Sequence, residues 1–252
     1  MGNERWQPLP DQFREDFRYF LVVVWKHLQL PNPTPVQLDI AEYMQDGPKR
    51  RIIEAFRGVG KSWMAAAYVL WLLRNDPQKK IMVVSASKMR ADDFAQFCLR
   101  LIREMDILKC LEPDRDEQRS ASNRFDVRPA TPDQSPSVKS VGIFGQLTGS
   151  RADLILADDC EVPNTAWTVG MREKLIVSVG EFNAILKPGG EIMFLGTPQT
   201  EESIYNKLQT KGYECRIWPS RYPKKPQKYG AALAPMILEN CVDLVNKPTD
   251  PD

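Results

Sequence analysis

A glycine-rich turn between an apolar run and a helical run constrains this chain more than any other part of its sequence. The apolar run covers residues 51–56, the turn is Arg57-Gly58-Val59-Gly60, and Lys61-Ser62 begins the helical run. This order predicts a phosphate-binding loop, because free backbone N–H groups and the positive end of a helix dipole face an anion there. In such loops the lysine reaches the outer phosphates and the serine hydroxyl reaches Mg²⁺.

The turn departs from the usual phosphate-loop (Walker A) pattern G-x-x-x-x-G-K-[ST]. Ala55 stands at the first glycine position, and Gly58 lies inside the loop instead. Gly58 and Gly60 still allow a positive φ and a close approach of the backbone to phosphate. The alternative is an ordinary tight turn before a helix. The predicted nucleotide-binding residues of the loop are Arg57, Gly58, Val59, Gly60, Lys61 and Ser62.

A second motif (Walker B) is an apolar run, Leu154-Ile155-Leu156-Ala157, that ends in two carboxylates. Such runs are typical of buried parallel strands, and ligands of open α/β sheets bind at the carboxyl ends of the strands. Asp158 is therefore expected to hold Mg²⁺ beside Ser62. Asp159 is expected to orient and deprotonate a water, with capping of the next helix as its alternative. Together the two motifs predict a P-loop ATPase that uses ATP and Mg²⁺.

Composition excludes several other classes of protein. The net charge of +1 gives no general attraction to nucleic acid, so any DNA contact would be a local patch. The five cysteines form no C-x-x-C pair, and we expect reduced thiols. The single histidine argues against a Ser-His-Asp triad or a His-rich metal site. No signal peptide is visible, and residues 20–25 are too short an apolar run to span a membrane.

Alternating strand and helix patterns predict an α/β fold with a mainly parallel central sheet flanked by helices. Residues 112–140 are rich in polar residues and predict an exposed hairpin or a mobile loop. Three regions are expected, namely a helical segment packed on the core (1–48), the ATPase core (49–220) and an extension leading to a linker (221–252). The predicted strands are 51–56, 80–85, 141–144, 154–157, 191–196 and 213–218, and the predicted helices are 11–29, 34–44, 61–74, 88–109, 165–186 and 201–209.

The long segment between the phosphate loop and Asp158 leaves room for an extra strand between the two motif strands. That arrangement fits the branch of P-loop NTPases with a separate catalytic carboxylate, the ASCE branch with its RecA-like core.

Several segments resemble the large terminase subunit of short-tailed bacteriophages. They are residues 55–62, 84–88, 135–143, 145–153 and 195–201. The resemblance runs from about residue 15 to the end of the chain. It implies a DNA-packaging motor made of an N-terminal ATPase and a C-terminal RNase H-like nuclease. This chain corresponds to the ATPase, so we expect the nuclease domain to be absent and a linker to begin near Asn246.

The resemblance also implies roles for individual residues. Arg57 corresponds to an arginine that contacts the γ-phosphate, with a salt bridge to a neighbouring acid as its alternative. The family usually has glutamate where this chain has Asp159, so Glu161 is kept as a second candidate for the catalytic base. Thr197 corresponds to a motif that couples hydrolysis to movement, with capping of the following helix as its alternative.

Gln37 corresponds to a glutamine that reads adenine in related ATPases. However, Thr34-Pro35-Val36-Gln37 is also a capping box, and both roles can hold together. Ring-shaped motors need an arginine from the neighbouring subunit. The candidates for this trans-acting arginine are Arg124, Arg128 and Arg151, and Arg151 is expected to lie near the nucleotide.

We therefore expect an ATP-hydrolysing motor that drives double-stranded DNA into a preformed capsid. The implied partners are the portal protein, the small terminase subunit and further copies in a ring, a pentamer by resemblance. The expected location is the host cytoplasm and, transiently, the procapsid. The alternatives are a helicase-like ATPase and a non-hydrolysing nucleotide-binding assembly domain. A Lys-rich segment is either a DNA contact or a solvated loop, and it contains Arg221, Tyr222, Lys224, Lys225, Lys228 and Tyr229.

Overall fold

The computed structural model of the chain describes residues 6–198 and 202–250, which form an eight-stranded sheet flanked by helices. The order across the sheet is β3-β4-β5-β2-β6-β7-β1-β8. Five pairings are parallel, and only β3–β4 and β4–β5 are antiparallel among the described residues. The predicted mainly parallel α/β fold is therefore confirmed. The strands are β1 (Arg50–Ala55), β2 (Ile81–Ser85), β3 (Ser120–Ala121), β4 (Arg124–Phe125), β5 (Val138–Gly142), β6 (Ala152–Asp158), β7 (Leu186–Gly196) and β8 (Glu214–Trp218).

Several helices are shorter than the sequence predicted, although α3 and α4 extend slightly further than expected. The expected helix 11–29 is two helices because Asp16 interrupts it and accepts a hydrogen bond from the Arg18 backbone as the N-cap of the second. The start of the predicted helix 201–209 lies outside the described residues. None of the described helices has the length and apolar character needed to cross a membrane. The α-helices are α1 (Asp11–Glu15), α2 (Phe17–His27), α3 (Pro35–Asp46), α4 (Lys61–Asn75), α5 (Lys88–Glu104), α6 (Pro163–Ala166), α7 (Val169–Gly180), α8 (Phe182–Ile185), α9 (Ile204–Gln209) and α10 (Pro235–Asn240), and 3₁₀ helices cover Asp106–Leu111 and Pro226–Ala232.

Both faces of the sheet are buried, and alternate residues of each strand point to opposite faces. Ile53 and Val83 face a core that they share with α2, α3, α4 and α5. Ile52 and Val84 face a second core that they share with α7, α8 and α9. Burial on both faces explains why these strands read as continuous apolar runs in the sequence. All five cysteines are buried and free, as the sequence predicted.

The strand order decides which loops meet. β7 lies between the two motif strands, β1 and β6, so an extra strand does separate them. It comes after Asp158 in the chain, whereas the long segment before Asp158 contributes β2 and, at one side of the sheet, β3, β4 and β5. In register, Asp158 pairs with Leu195 of β7 and with Ser85 of β2. The carboxyl ends of β1, β7, β6 and β2 therefore share one edge of the sheet.

The C-terminal segment packs on the core as far as Asp250. Leu233 and Ile237 are buried in the same core as α2–α5. The Thr249 hydroxyl donates to the Pro219 carbonyl at 2.5 Å, and the Thr34 hydroxyl donates to the Asp250 carboxylate at 3.2 Å. The sequence predicted the start of a linker from Asn246. In the structure, residues 246–250, which we call the strap, are bound to the core, and residues 251–252 lie outside the described part.

Glu54 is an acidic side chain within the second core, because residue 54 of β1 points to the same face as Ile52. The side chain is 6% exposed, and its Oε1 has no hydrogen-bond partner among the described residues. Burial raises the pKa of Glu54 to about 7, the nearby Glu161 carboxylate adds to this rise, and a hydrogen bond with Cys215 opposes it. The folded protein therefore favours the protonated carboxyl.

We predict that Glu54→Gln removes a pH dependence of stability. Because the pKa rises from 4.5 to about 7 on folding, the folded state retains a proton that the unfolded chain releases, and wild-type stability falls as the pH rises through this window. The variant should be more stable than wild type by roughly 3 kcal/mol near pH 8 and about equal near pH 4, below the pKa of the unfolded chain. Urea denaturation at both pH values measures the difference.

The matched control is Glu117→Gln, an exposed position for which no contact is described. It should leave the pH dependence unchanged. Equal destabilisation by Glu54→Gln at both pH values would contradict the prediction.

Candidate nucleotide-binding site

The loop between β1 and α4 has the backbone conformation of an anion-binding turn. Gly58 and Gly60 have φ values of +97° and +84°, which other residues rarely adopt. Gly60 is the N-cap of α4, and no side chain of the described residues caps that helix. The N–H groups of its first turn are therefore available to a negatively charged ligand.

Lys61 is held beneath this loop by oxygen atoms from two strands. Its ammonium donates to the carbonyls of Ala55 at 2.7 Å and Phe56 at 3.1 Å, and to the Thr197 hydroxyl at 3.4 Å. The residue is 7% exposed. Burial lowers the pKa of Lys61, and the charges of Asp159 and Asp158 oppose that shift. The cation thus lies between the loop and the acidic end of β6.

Asp158 and Ser62 form a site that suits a divalent cation. Ser62 and Asp158 line the same small cavity, and the pKa of the Asp158 carboxylate is raised to about 6 by burial and by Asp159, a rise that the Ser62 hydroxyl opposes. The Oδ1 atom of Asp158 is buried and has no hydrogen-bond partner among the described residues. The described residues contain no group of three or more His, Cys, Asp or Glu that could hold a metal. Ser62 and Asp158 would thus supply two oxygens for Mg²⁺, with phosphate and water completing the coordination.

A cavity of about 550 Å³ lies over the loop, at the shared edge of the sheet. It brings together most of the residues predicted from sequence. Asp158 lines an adjoining cavity of about 320 Å³ together with Ser62. Val59 is buried and does not line the larger cavity, and Gln37 lies behind the loop. The predicted residues that line the larger cavity are Arg57, Gly58, Gly60, Lys61, Ser62, Asp159, Glu161 and Thr197.

Arg57 and Asp159 both face this cavity without the contacts that their alternative roles require. Arg57 is exposed and forms no ion pair within the described residues, so the salt-bridge alternative has no support there. Asp159 has a φ of +45°, and its backbone N–H donates to the Leu195 carbonyl at 2.8 Å. The N-cap of α6, the following helix, is Val162, so Asp159 does not cap it.

Glu161 and Thr197 differ in what they contact. The Glu161 Oε2 accepts hydrogen bonds from the Ser203 hydroxyl at 2.9 Å and the Ile204 backbone N–H at 2.6 Å. Glu161 therefore connects the loop after β6 to the start of α9. The Thr197 hydroxyl donates to the Ala55 carbonyl at 2.9 Å. The N-cap of α9 is Ser203, so the alternative in which Thr197 caps the following helix is wrong.

Gln37 contacts both the cap of α3 and the phosphate loop. Its Oε1 accepts from the Thr34 backbone N–H at 3.0 Å, and the Thr34 hydroxyl accepts from the Gln37 backbone N–H at 3.3 Å. These are the two halves of a capping box. Its Nε2 donates to the Val59 carbonyl at 3.1 Å. The amide therefore braces the loop in addition to capping the helix.

The three candidate trans-acting arginines do not line the nucleotide cavity in the described structure. Arg151 precedes the first residue of β6, whereas Asp158 is its last, so the expectation that Arg151 lies near the nucleotide is wrong. Its guanidinium donates to the Ala184 carbonyl at 2.6 Å. Arg128 donates to the Glu112 carbonyl at 3.2 Å. Arg124 lies on β4, towards the far side of the sheet from β1.

Two residues that sequence reasoning missed also line the site. Arg90, in the first turn of α5, lines both cavities, and its charge lowers the pKa of Asp158. Trp63 follows the Lys-Ser pair, is 45% exposed and packs edge-to-face on Trp25. Because Ser85 pairs with Asp158, the segment after β2, which contains Arg90, lies beside the nucleotide cavity. A prediction that placed β2 next to β6 would have identified Arg90 as a site residue.

These features define a P-loop NTPase, with a strand, a phosphate loop and a helix at the carboxyl edge of a parallel sheet. The chain is 49% identical over 251 residues to the large terminase subunit of Enterobacteria phage T3. The match covers 95% of this chain, so the chain is similar to part of the T3 protein. It covers 43% of the length of the T3 protein.

Two solved structures are similar to this chain, and the first of them has the same fold class. The yeast DEAD-box splicing factor Prp28 matches with a TM-score of 0.51 at 11% identity, covering 83% of this chain and 51% of Prp28. A point mutant of the large terminase ATPase domain of Thermus phage P74-26 matches with a TM-score of 0.45 at 18% identity, covering 72% of this chain and 71% of that domain. No model of a known protein family matches the chain.

We predict that Gln37→Ala weakens binding of ATP and GTP to similar extents, by about fivefold, because it removes a hydrogen bond worth about 1 kcal/mol from the loop that holds the phosphates. Reading of adenine by Gln37 would instead weaken ATP binding alone. Equilibrium titration with fluorescent ATP and GTP analogues separates the two roles.

Gln37→Glu is the matched variant for the brace. It keeps an oxygen acceptor for the Thr34 N–H but replaces the donor to Val59 with oxygen. We expect it to weaken both nucleotides at least as much as Gln37→Ala. Wild-type affinity in the glutamate variant would show that the contact to Val59 is not needed.

Proposed function

We propose that this chain hydrolyses ATP with Mg²⁺ and that it is the motor domain of a viral DNA-packaging terminase. The observation that carries the proposal is the meeting of Lys61, Ser62 and Asp158 at one edge of the sheet, beneath a loop with left-handed glycines. The similarity to the T3 large terminase subunit supports the packaging role. Because the chain spans less than half of that relative, the activity of the whole protein is part of this proposal.

In the proposed reaction, a water attacks the γ-phosphate of ATP in the cavity over the loop. Lys61 turns its ammonium from the Ala55 and Phe56 carbonyls towards the outer phosphates. Ser62 and Asp158 would hold a magnesium ion, which would neutralise charge on the phosphates. Arg57 faces the same cavity with no carboxylate partner in the described structure, which suits a contact with the γ-phosphate.

Asp159 is the residue we propose as the general base. Its side chain lines the cavity, and the left-handed backbone presents it beyond the end of β6. Glu161 also lines the cavity, but its Oε2 is engaged by Ser203 and Ile204. We therefore propose that Glu161 holds α9 in place and that Asp159 accepts the proton of the attacking water.

Thr197 is proposed to couple the state of the nucleotide to β7. Its hydroxyl contacts both the Ala55 carbonyl and the ammonium of Lys61. When Lys61 moves to phosphate, Thr197 loses one of these partners, and the loop after β7 can respond. Gln37 is proposed mainly as the brace of the loop, through its contact with Val59.

The proposed assembly is a ring of copies, a pentamer by family resemblance, bound to the portal protein of a procapsid in the host cytoplasm. Double-stranded DNA and the small terminase subunit are its further partners. An arginine from a neighbouring copy would complete each site. Arg124, Arg128 and Arg151 stay the candidates, and their positions away from their own cavity support a role in trans rather than in cis.

We predict that Lys61→Ala abolishes ATP turnover, because the variant loses the cation that binds the outer phosphates. The rate should fall at least 100-fold, a loss of about 2.7 kcal/mol or more of transition-state stabilisation. Release of inorganic phosphate measures the rate. The control is Lys211→Ala, at an exposed lysine beyond α9. Turnover that survives in the Lys61 variant would place the activity elsewhere.

We predict that Asp159→Asn and Glu161→Gln have different effects. The first should lower kcat by about 100-fold or more, with ATP affinity retained, because a general base contributes that much. The second should lower stability by about 1–2 kcal/mol, because it weakens charge-assisted bonds to α9, and should lower kcat less than tenfold. A large loss of kcat only in the Glu161 variant would instead assign the general base to Glu161 and contradict the role proposed for Asp159.

A further inference from the structure

A second cavity lies near the nucleotide cavity and is lined by different residues. It measures about 620 Å³ and lies beyond β2, between the ends of β4 and β5 and the start of α5. We call it the basic cavity, because its lining includes four cationic residues and no acidic one. The four are Lys88, Arg119, Arg124 and Lys139.

Two of these cations, Arg124 and Lys139, have no carboxylate partner in the described residues, whereas the other two are paired. Lys88 pairs with Asp92 at 2.5 Å, and Arg119 pairs with Asp126 at 2.7 Å. Lys139 contacts only neutral oxygens, those of the Gln146 carbonyl and the Ser150 hydroxyl.

Arg124 is exposed and forms no ion pair with any of the described residues. Burial lowers the pKa of Lys139, and the charge of Arg124 lowers it further. An anion placed between the two would relieve this repulsion.

The backbone around the basic cavity also favours an anion. The 17-residue helix α5 begins in its wall, so the positive end of the helix dipole adds to the cationic side chains. A Cβ at Gly142 would lie 2.8 Å from the Lys88 backbone nitrogen, so glycine allows the end of β5 to pack closely on this helix start. Gly149 has a φ of +87°, and no atom would lie within 4 Å of a Cβ there. The loop at residues 142–150 therefore leaves open space beside the cations.

We propose that the basic cavity binds phosphate groups of the DNA backbone, with Arg124 and Lys139 as the contacting cations. The inference rests on the proposed function, since it names the surface through which the motor holds its DNA. The remaining polar lining, such as Asn123, Gln134 and Gln146, suits phosphate and sugar contacts that carry no base preference. A translocating motor needs contacts of this kind, because it must not stop at a sequence.

The same turn of α5 borders both cavities. Lys88 lines the basic cavity, and Arg90 lines the nucleotide cavity. Ser85, at the end of β2, pairs with both Asp158 of β6 and Gly142 of β5. A shift of residues 85–90 on DNA binding would therefore change the position of Asp158, the residue proposed to bind the metal.

The Lys-rich segment near residue 225 is the rival surface. Tyr222 is 6% exposed and packs in the core, so it cannot stack on a base. The Arg221 guanidinium donates to the Asn246 carbonyl at 2.7 Å, which connects it to the strap. The interleaved aromatic and basic pattern that suggested DNA contact in the sequence is thus partly used for packing.

The test is binding of the 252-residue chain to a random-sequence DNA duplex, followed by fluorescence anisotropy over a series of salt concentrations. The variant is Arg124→Gln with Lys139→Gln. We expect affinity near 0.1 M salt to fall at least tenfold, and the slope of log K against log[salt] to become shallower by about 2. The matched control is Lys224→Gln with Lys225→Gln, which removes the same charge and should leave both quantities unchanged.

Lys139 also supports the 142–150 loop, so Arg124→Gln alone is a second variant. It should reduce the slope by about 1 with an unchanged melting temperature. Wild-type DNA binding in both cavity variants, or loss only in the Lys224 and Lys225 control, would overturn the proposal. So would displacement of the duplex by millimolar inorganic phosphate at constant ionic strength, which would indicate a site for a free small anion.

The ATP turnover of the wild-type chain separates this inference from the proposed function. Turnover with no effect of the cavity variants on DNA binding defeats the inference alone. DNA binding that depends on the cavity, without any ATP turnover, supports the inference and defeats the proposed enzyme activity.

Discussion

The bond between the Lys61 ammonium and the Ala55 carbonyl is the interaction on which the nucleotide site depends. A buried ammonium is costly unless oxygen atoms surround it, and here the oxygens come from the end of β1 and from Thr197 after β7. The lysine side chain is therefore already ordered at the site before any phosphate arrives. The same contacts connect the phosphate loop to the end of β7, the strand that lies between β1 and β6. When the ligand binds, the ammonium would exchange these oxygens for those of phosphate, so the side chain reorients without first having to become ordered.

The sequence predicted those parts of the site that follow from local order along the chain. A loop after β1 and acids after β6 must meet, because parallel strands end at the same edge. Arg90 could not be found in this way, since its position depends on β2 being the neighbour of β6. Arg151 was misplaced for a related reason, because a residue just before a strand lies at the opposite edge from one just after it. The contact of Glu161 with α9 depends on a side-chain direction that no spacing shows.

The phosphate loop also has support from helices outside the sheet. A path of hydrogen bonds runs from Asp250 through the Thr34 hydroxyl to the backbone of Gln37, whose amide reaches the Val59 carbonyl. The strap and α3 therefore contact the loop through one polar chain. Trp218 strengthens the same junction, because its indole N–H donates to Asp39 of α3 at 2.7 Å. Segments at both ends of the described chain thus help to hold the loop that carries Lys61.

The left-handed backbone of Asp159 restricts which amino acids can occupy that position. Among residues with a side chain, Asp and Asn tolerate a positive φ far better than longer acids, because their short polar groups can bond locally. The resemblance to terminases implied a glutamate here, and the geometry accounts for the shorter acid that the chain has instead. Lengthening the carboxylate by one methylene would strain the main chain beside Asp158. For the general base proposed at this position, the place of the carboxylate is then set by the left-handed backbone rather than by the length of the side chain.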